Sequence, residues 1–313
     1  MKNNLEPDNL LETFCSIDFE GISKHPNILI AAAFWDRERF EAARIAYRFM
    51  RYIDDRVDSY KTEHLTISRE EQAGLADDVR SWTDMIRNRS ALTVDQQLVR
   101  TWEKFLIPDW PVEAFARAMI YDIHHQGFPT FDSFLDYAEG ASVAPAGIFV
   151  HLCGLRFENG MYLPPVFDAR EVARPCAIFS YLVHIIRDFQ KDRLEHLNYF
   201  PSDMLQKFGL DQATLDDIAQ GGPIPDGFRE LVREYMRIAD KYRLETLRMI
   251  EKVCPLLEMR YRLSLEIIFN LYLMVYHRIE PEKGLFTTEA LHPSTDQIKE
   301  QVLNTIKSFD YKP

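Results

Sequence analysis

From Asp36 to Tyr60 the chain runs without a proline or glycine, and Phe40, Ala43, Tyr47 and Met50 recur at spacings of three and four. That spacing places apolar side chains on one face of a helix. A stripe so long must be covered by other helices. The same periodicity predicts helices over 70–89, 93–106, 111–124, 130–155, 168–192, 226–253 and 258–278. Proline and glycine cluster between them, at Pro108–Pro111, Gly127–Pro129, Asn159–Pro165 and Gly221–Gly227, where backbone breaks belong. Strand-like alternation is scarce. The pattern predicts an all-α fold with one domain over residues 1–313, because no segment has the composition of a flexible linker. No repeat or low-complexity tract appears. Residues after about 285 hold few large apolar groups and are expected to form a peripheral tail.

The 130–155 segment carries Gly140, Pro145 and Gly147 in its middle. An internal proline removes one helical hydrogen bond and crowds the carbonyl four residues back. Two readings stand: an ordinary kink, or a break that bends the helix around a cavity.

Charge narrows the function. The net charge is −12 and no Lys/Arg block occurs, which argues against nucleic-acid binding. An acidic protein that takes an anionic ligand needs local positive charge, and a divalent cation held by carboxylates is one source. Cys15, Cys153, Cys176 and Cys254 are far apart, so neither a zinc site nor a disulfide framework is expected. The polar first residues are not those of a signal peptide, and no apolar run is long enough to span a bilayer. A cytoplasmic protein is expected, with loose membrane association left open. No G-x-G-x-x-G or G-x-S-x-G occurs, so neither a Rossmann NADPH domain nor a hydrolase elbow is expected.

Two acidic helix faces carry the chemistry. In Arg51-Tyr-Ile-Asp54-Asp55-Arg-Val-Asp58, Asp54 and Asp58 leave the same face, and like charges at that spacing cost a few tenths of a kcal/mol on a bare helix. Mg²⁺ suits such a pair, since it takes one or two carboxylates plus phosphate oxygens and water. Arg48 and Arg51 lie a turn earlier, placed to hold phosphate. In His184-Ile-Ile-Arg187-Asp188-Phe-Gln-Lys191-Asp192-Arg193, Asp188 and Asp192 repeat the arrangement beside three cations. A third pair, Asp132 and Asp136, reads as a solvated face. Two acidic faces across a cavity suit ionisation of an allylic diphosphate, with cations stabilising the leaving group and apolar walls excluding water.

These residues resemble the signatures of the squalene/phytoene synthase family. Tyr47-Arg-Phe-Met-Arg51-Tyr-Ile-Asp54-Asp55-Arg-Val-Asp58 is similar to the first. Arg187-Asp188 through Asp192-Arg193, followed by Asn198-Tyr199-Phe200-Pro201-Ser-Asp203, is similar to the second. Tyr137 resembles the tyrosine before the family's kinked central helix. The likeness covers about residues 20–280. It implies a class I isoprenoid synthase helical bundle around a central cavity, cytosolic or membrane-peripheral, that joins two prenyl diphosphates head to head through a cyclopropyl diphosphate. It further implies two or three Mg²⁺ ions, with Asp54, Asp58, Asp188 and Asp192 as ligands or anchors behind them. Arg51, Arg187, Arg48, Lys191, Arg193 and Tyr199 would contact substrate, and Tyr47 and Tyr137 would line the reaction cavity. Some members also use NADPH, which here would have to bind in the helical cavity.

The chain departs from the family at His184, where Asn usually helps bind metal, and at Tyr181, where Gln is common. His184 reads as a metal ligand, a phosphate donor, an altered acid/base group or a satisfied core histidine. Ala141 through Gly147 is closer to the proline-containing version of the hydroxysqualene-forming branch, where Arg187 is not expected. These departures leave three readings: a head-to-head transferase, a one-substrate diphosphate lyase or hydrolase, and a non-catalytic isoprenoid-binding protein. His124 and His125 point to different faces and read as surface or structural, and His151 reads as a core histidine.

Overall fold

The structure, a computed structural model, describes residues 7–22, 27–63, 68–90 and 96–309. The polar N-terminal residues read above, and the start of the helix predicted at 93, lie outside them. The chain opens with α1 (Pro7–Ser16), α2 (Phe19–Ile22) and α3 (Asn27–Ala32). The uninterrupted stripe becomes α4 (Arg37–Glu63). It buries Ala43, Ala46, Met50, Ile53 and Val57 on one side, as the three-four spacing requires. Asp36 fixes its start by accepting from the backbone N–H of Arg39 at 3.1 Å, which satisfies a donor that the helix leaves unpaired.

Next come α5 (Arg69–Arg87), α6 (Gln96–Lys104) and α7 (Trp110–His124). The helix predicted over 130–155 is α8 (Phe131–Ala138) and α9 (Ala144–Gly154), joined by one π-helical turn at Glu139–Val143. The turn has physical causes. Pro145 offers no N–H to the turn before it. Gly140 lets α7 cross closely, because a Cβ there would lie 2.2 Å from the Ala114 carbonyl oxygen. Arg170 and Arg174 hold Glu139 at 2.8 and 2.5 Å.

A hairpin, β1 (Arg156–Glu158) and β2 (Met161–Leu163), pairs antiparallel where the sequence shows only a Pro/Gly-rich break. Then follow α10 (Ala169–Arg187), α11 (Phe189–Leu194), α12 (Ser202–Lys207), α13 (Gln212–Ala219), α14 (Asp226–Val253) and α15 (Met259–Tyr276). Asp168 caps α10 by accepting from the N–H groups of Arg170 and Glu171. Helix α10 runs through the centre, burying Ile178, Phe179, Leu182, Val183, Ile185 and Ile186.

The residues after 285 correct the expectation of a peripheral tail. They form α16 (Thr288–Leu291) and α17 (Thr295–Ser308), and α17 packs on α15. Leu291, Val302, Ile306 and Phe309 are buried. Few apolar residues suffice because each falls on the facing side. No helix of the described residues is long and apolar enough to cross a membrane.

Candidate active site

The first acidic face lies on the inner side of α4. Arg51 donates to Asp54 at 2.8 Å and pairs with Asp55 at 2.5 Å. The Asp54 side chain is 30% exposed, yet desolvation outweighs Arg51, and Asp122 and Asp55 add repulsion, so its pKa rises to about 6. Burial, with the charges of Asp54 and Asp122, lifts Asp58 to about 8 despite Lys61 and Arg51. Asp122, on α7, is a buried carboxylate that sequence reasoning missed. It is held by Lys61 at 2.6 Å. Nothing in the local sequence marks it, since its neighbours on α4 are set by tertiary packing alone.

The second face follows α10. Its last residue, Arg187, donates from Nε and Nη2 to the two Asp188 oxygens at 2.6 and 2.8 Å. His184 Nε2 lies 2.5 Å from Asp188 Oδ2, and His292, delivered by the C-terminal segment, lies 2.7 Å from Oδ1. Burial alone would raise the Asp188 pKa, but His184, Arg187 and His292 override it, so Asp188 stays ionised well below the usual carboxylate range. Burial and the Arg187 charge push His184 below its ordinary value. His184 therefore favours its neutral form near neutral pH and lies beside Asp188 at contact distance, while Arg187 supplies the permanent charge. Asp192 behaves like Asp58: burial and the Asp188 charge raise it to about 7.

Tyrosines bind the two faces into one site. Burial pushes the phenols of Tyr181 and Tyr199 well up, and each also feels Asp122 and carboxylates of both motifs: Asp54 and Asp192 for Tyr181, and Asp58 and Asp192 for Tyr199. Tyr137, buried on α8, is raised chiefly by burial and then by Asp122, Tyr181, Tyr199 and Asp54. The Tyr181 ring lies 6.4 Å from those of Tyr137, Tyr199 and His184. These phenols therefore stay protonated and serve as donors. Tyr199 is placed by its own motif: Ser202 N–H donates to Phe128 O at 2.9 Å, and Asp203 accepts from Phe131 N–H at 3.1 Å. The Tyr-x-Pro segment and its aspartate are thus a clasp onto the start of α8.

Tyr47 joins this polar region to an apolar one. Its phenol is raised chiefly by burial and feels Arg51, Asp54 and Tyr272. It also lines a narrow apolar crevice of about 20 Å³, partly open to solvent, with Ala43, Ala46, Met50, Pro145, Ile148, Phe149 and Leu152. Pro145, next to the π-helical turn, lies in the wall of this crevice.

Three predicted contacts are not brought into the site. Arg48 stands exposed on α4 without an ion pair among the described residues. Arg193 is tied to α13 through Asp216 and Gln212. Lys191 is exposed and reaches Glu195 at 3.8 Å. Helical spacing showed these charges to be near the motifs but not which way they turn. His184 faces Asp188 rather than standing as an open ligand. Asp132 and Asp136 are exposed, His151 Nε2 lies 2.9 Å from Phe105 O, and His125 stacks on Tyr121, as read from sequence.

Among the described residues no three His, Cys, Asp or Glu side chains converge into a ready-made metal site. Asp54, Asp58 and Asp192 nevertheless fit a hard cation. They are half-buried carboxylates, Asp58 and Asp192 without an ion pair among the described residues and Asp54 paired only with Arg51, and Mg²⁺ ordinarily completes its shell with phosphate and water. Asp188 does not fit as readily, because its oxygens already face four nitrogens.

The fold is shared with solved structures at low identity. A dehydrosqualene synthase in complex with ligand superposes with a TM-score of 0.66 at 13% identity, covering 97% of this chain and 100% of the other. The squalene synthase HpnC from Alicyclobacillus acidocaldarius gives 0.61 at 16%, covering 85% and 98%. YisP from Bacillus subtilis subsp. subtilis strain 168 gives 0.60 at 13%, covering 97% and 100%. A search of the curated proteins finds no match. The profile of the squalene/phytoene synthase family matches residues 24–296, so this chain belongs to that family of prenyltransferases.

Proposed function

We propose that the protein catalyses Mg²⁺-dependent head-to-head condensation of two prenyl diphosphates, farnesyl or geranylgeranyl diphosphate. The reaction runs through a cyclopropyl diphosphate to a squalene-, dehydrosqualene- or phytoene-type hydrocarbon. One observation carries the reading: two acidic helix faces share a set of half-buried tyrosines, and Tyr47 connects them to an apolar crevice. A prenyl diphosphate has the matching halves, a multiply charged head and a hydrocarbon tail.

Asp54, Asp58 and Asp192 would hold the cations, which when bound neutralise the departing diphosphate. Arg51 and Arg187 contribute fixed positive charge at its oxygens. Tyr137, Tyr181 and Tyr199 keep their protons and donate toward the head group. Tyr47, Met50, Ile148 and Phe149 form an apolar wall for the hydrocarbon, which would widen the crevice on binding, and they would keep water from the allylic cation. Diphosphate release from farnesyl diphosphate with Mg²⁺ tests this. Asp54→Asn and Asp192→Asn should each lose it by at least about 10²-fold, and normal release in either variant refutes the shared site.

A one-substrate diphosphate lyase is the second reading. The enclosure of Asp188 by His184 and His292 favours it, because fewer open carboxylates remain for a second head group. NADPH use stays a proposal within the first reading.

A further inference from the structure

The surroundings of Asp188 deepen the prenyl diphosphate reading and rest on it. Arg187 Nε and His292 Nε2 lie 2.6 and 2.7 Å from Oδ1, and Arg187 Nη2 and His184 Nε2 lie 2.8 and 2.5 Å from Oδ2. Each oxygen thus faces two nitrogens: one from Arg187 in hydrogen-bond geometry, and one imidazole at contact distance outside that geometry. The residue is only 7% exposed. A cation could join this carboxylate only by displacing a nitrogen, and it would then sit against the Arg187 guanidinium. Asp58 and Asp192 differ, since neither carboxylate forms an ion pair among the described residues.

The second imidazole arrives by design of the chain's end. Thr288 N–H donates to Gln190 Oε1 at 2.9 Å, and Gln190 Nε2 donates to Ala219 O at 3.1 Å. The segment Thr288–His292 is thereby laid across the second motif, between its two aspartates in sequence. Arg187 spends two N–H groups on Asp188 and keeps three of its five, held in a fixed plane by the fork.

We propose that Asp188 is a positioning residue that aims Arg187 at a diphosphate and binds no metal, His184 and His292 occupying the approaches a cation would need. Metal on this side of the cavity is held from Asp192 and substrate oxygens.

Mn²⁺ bound per chain, counted by electron paramagnetic resonance with inorganic diphosphate present, tests the assignment. Asp188→Asn should keep the wild-type count, while Asp58→Asn lowers it. Titration of diphosphate in EDTA should show Asp188→Asn and Arg187→Lys weakened about tenfold, because the aimed fork is lost. A reduced Mn²⁺ count in Asp188→Asn overturns the proposal. Should that variant not fold, the double variant His184→Ala/His292→Ala decides: the opened carboxylate should take up one further Mn²⁺, and an unchanged count overturns the proposal. A wild type that binds no Mn²⁺ with diphosphate removes the prenyl diphosphate reading itself, a result distinct from loss in Asp188→Asn alone.

Discussion

Asp58→Asn should make the metal-free protein more stable while abolishing its chemistry. The folded state raises the Asp58 pKa from 3.8 to about 8, through burial first and then the charges of Asp54 and Asp122. Between those values the folded carboxyl holds a proton that the unfolded one has released. Stability therefore falls as pH rises through this window, and the loss persists above it. For an isolated site the loss near pH 7 is about 4 kcal/mol. Asp54 and Asp58 titrate together, and removing one charge leaves the other relieved, so a gain of about 1–3 kcal/mol is expected from the amide. In a chain of this length that corresponds to a midpoint roughly 2–5 °C higher. Differential scanning calorimetry at pH 7 and pH 5, in EDTA, measures it. The gap should shrink by more than half at about pH 5 and vanish below about pH 3, where both states hold the proton. Saturating Mg²⁺ with diphosphate should stabilise the wild type and not the variant. A variant that melts lower at pH 7, or a gap unchanged at pH 5, refutes the reasoning.

Further outcomes follow from other contacts. Asp54→Ala should remove turnover with an unchanged circular dichroism spectrum, because the carboxylate is partly exposed and its loss opens no apolar cavity. His184→Asn should retain head-to-head turnover within about tenfold, since an amide keeps a polar group beside Asp188; His184→Leu should lose more, and equal kinetics of the two would deny His184 a polar role. Truncation after residue 285 should destabilise the protein by on the order of 5 kcal/mol, because buried Leu291, Val302, Ile306 and Phe309 go with it; urea denaturation reads this. Gly140→Ala should cost more than about 2 kcal/mol, because its Cβ would meet the Ala114 carbonyl at 2.2 Å.

The long helices were legible because each is amphipathic and bounded by proline or glycine. Both acidic pairs were legible because spacing of four fixes a common face whatever the tertiary structure. What escaped had tertiary causes. Asp122 gains its place from α7 crossing α4, and no pattern within Arg117–His124 announces that. Tyr181 looked like a departure from the family, yet it bridges Tyr137, Tyr199 and His184. His292 sits about a hundred residues from Asp188, in a stretch too poor in apolar groups to look ordered. Arg48 and Arg193 had the right neighbours in sequence and the wrong side of the helix in space. The hairpin at Arg156–Leu163 is too short to show alternation.

The central claim is that two prenyl chains are joined. Purified protein incubated with Mg²⁺ and farnesyl or geranylgeranyl diphosphate, with and without NADPH, and analysed by mass spectrometry, tests it most directly. Head-to-head joining gives a product with twice the substrate's carbon count. An alcohol or cyclic hydrocarbon of unchanged carbon count would contradict it.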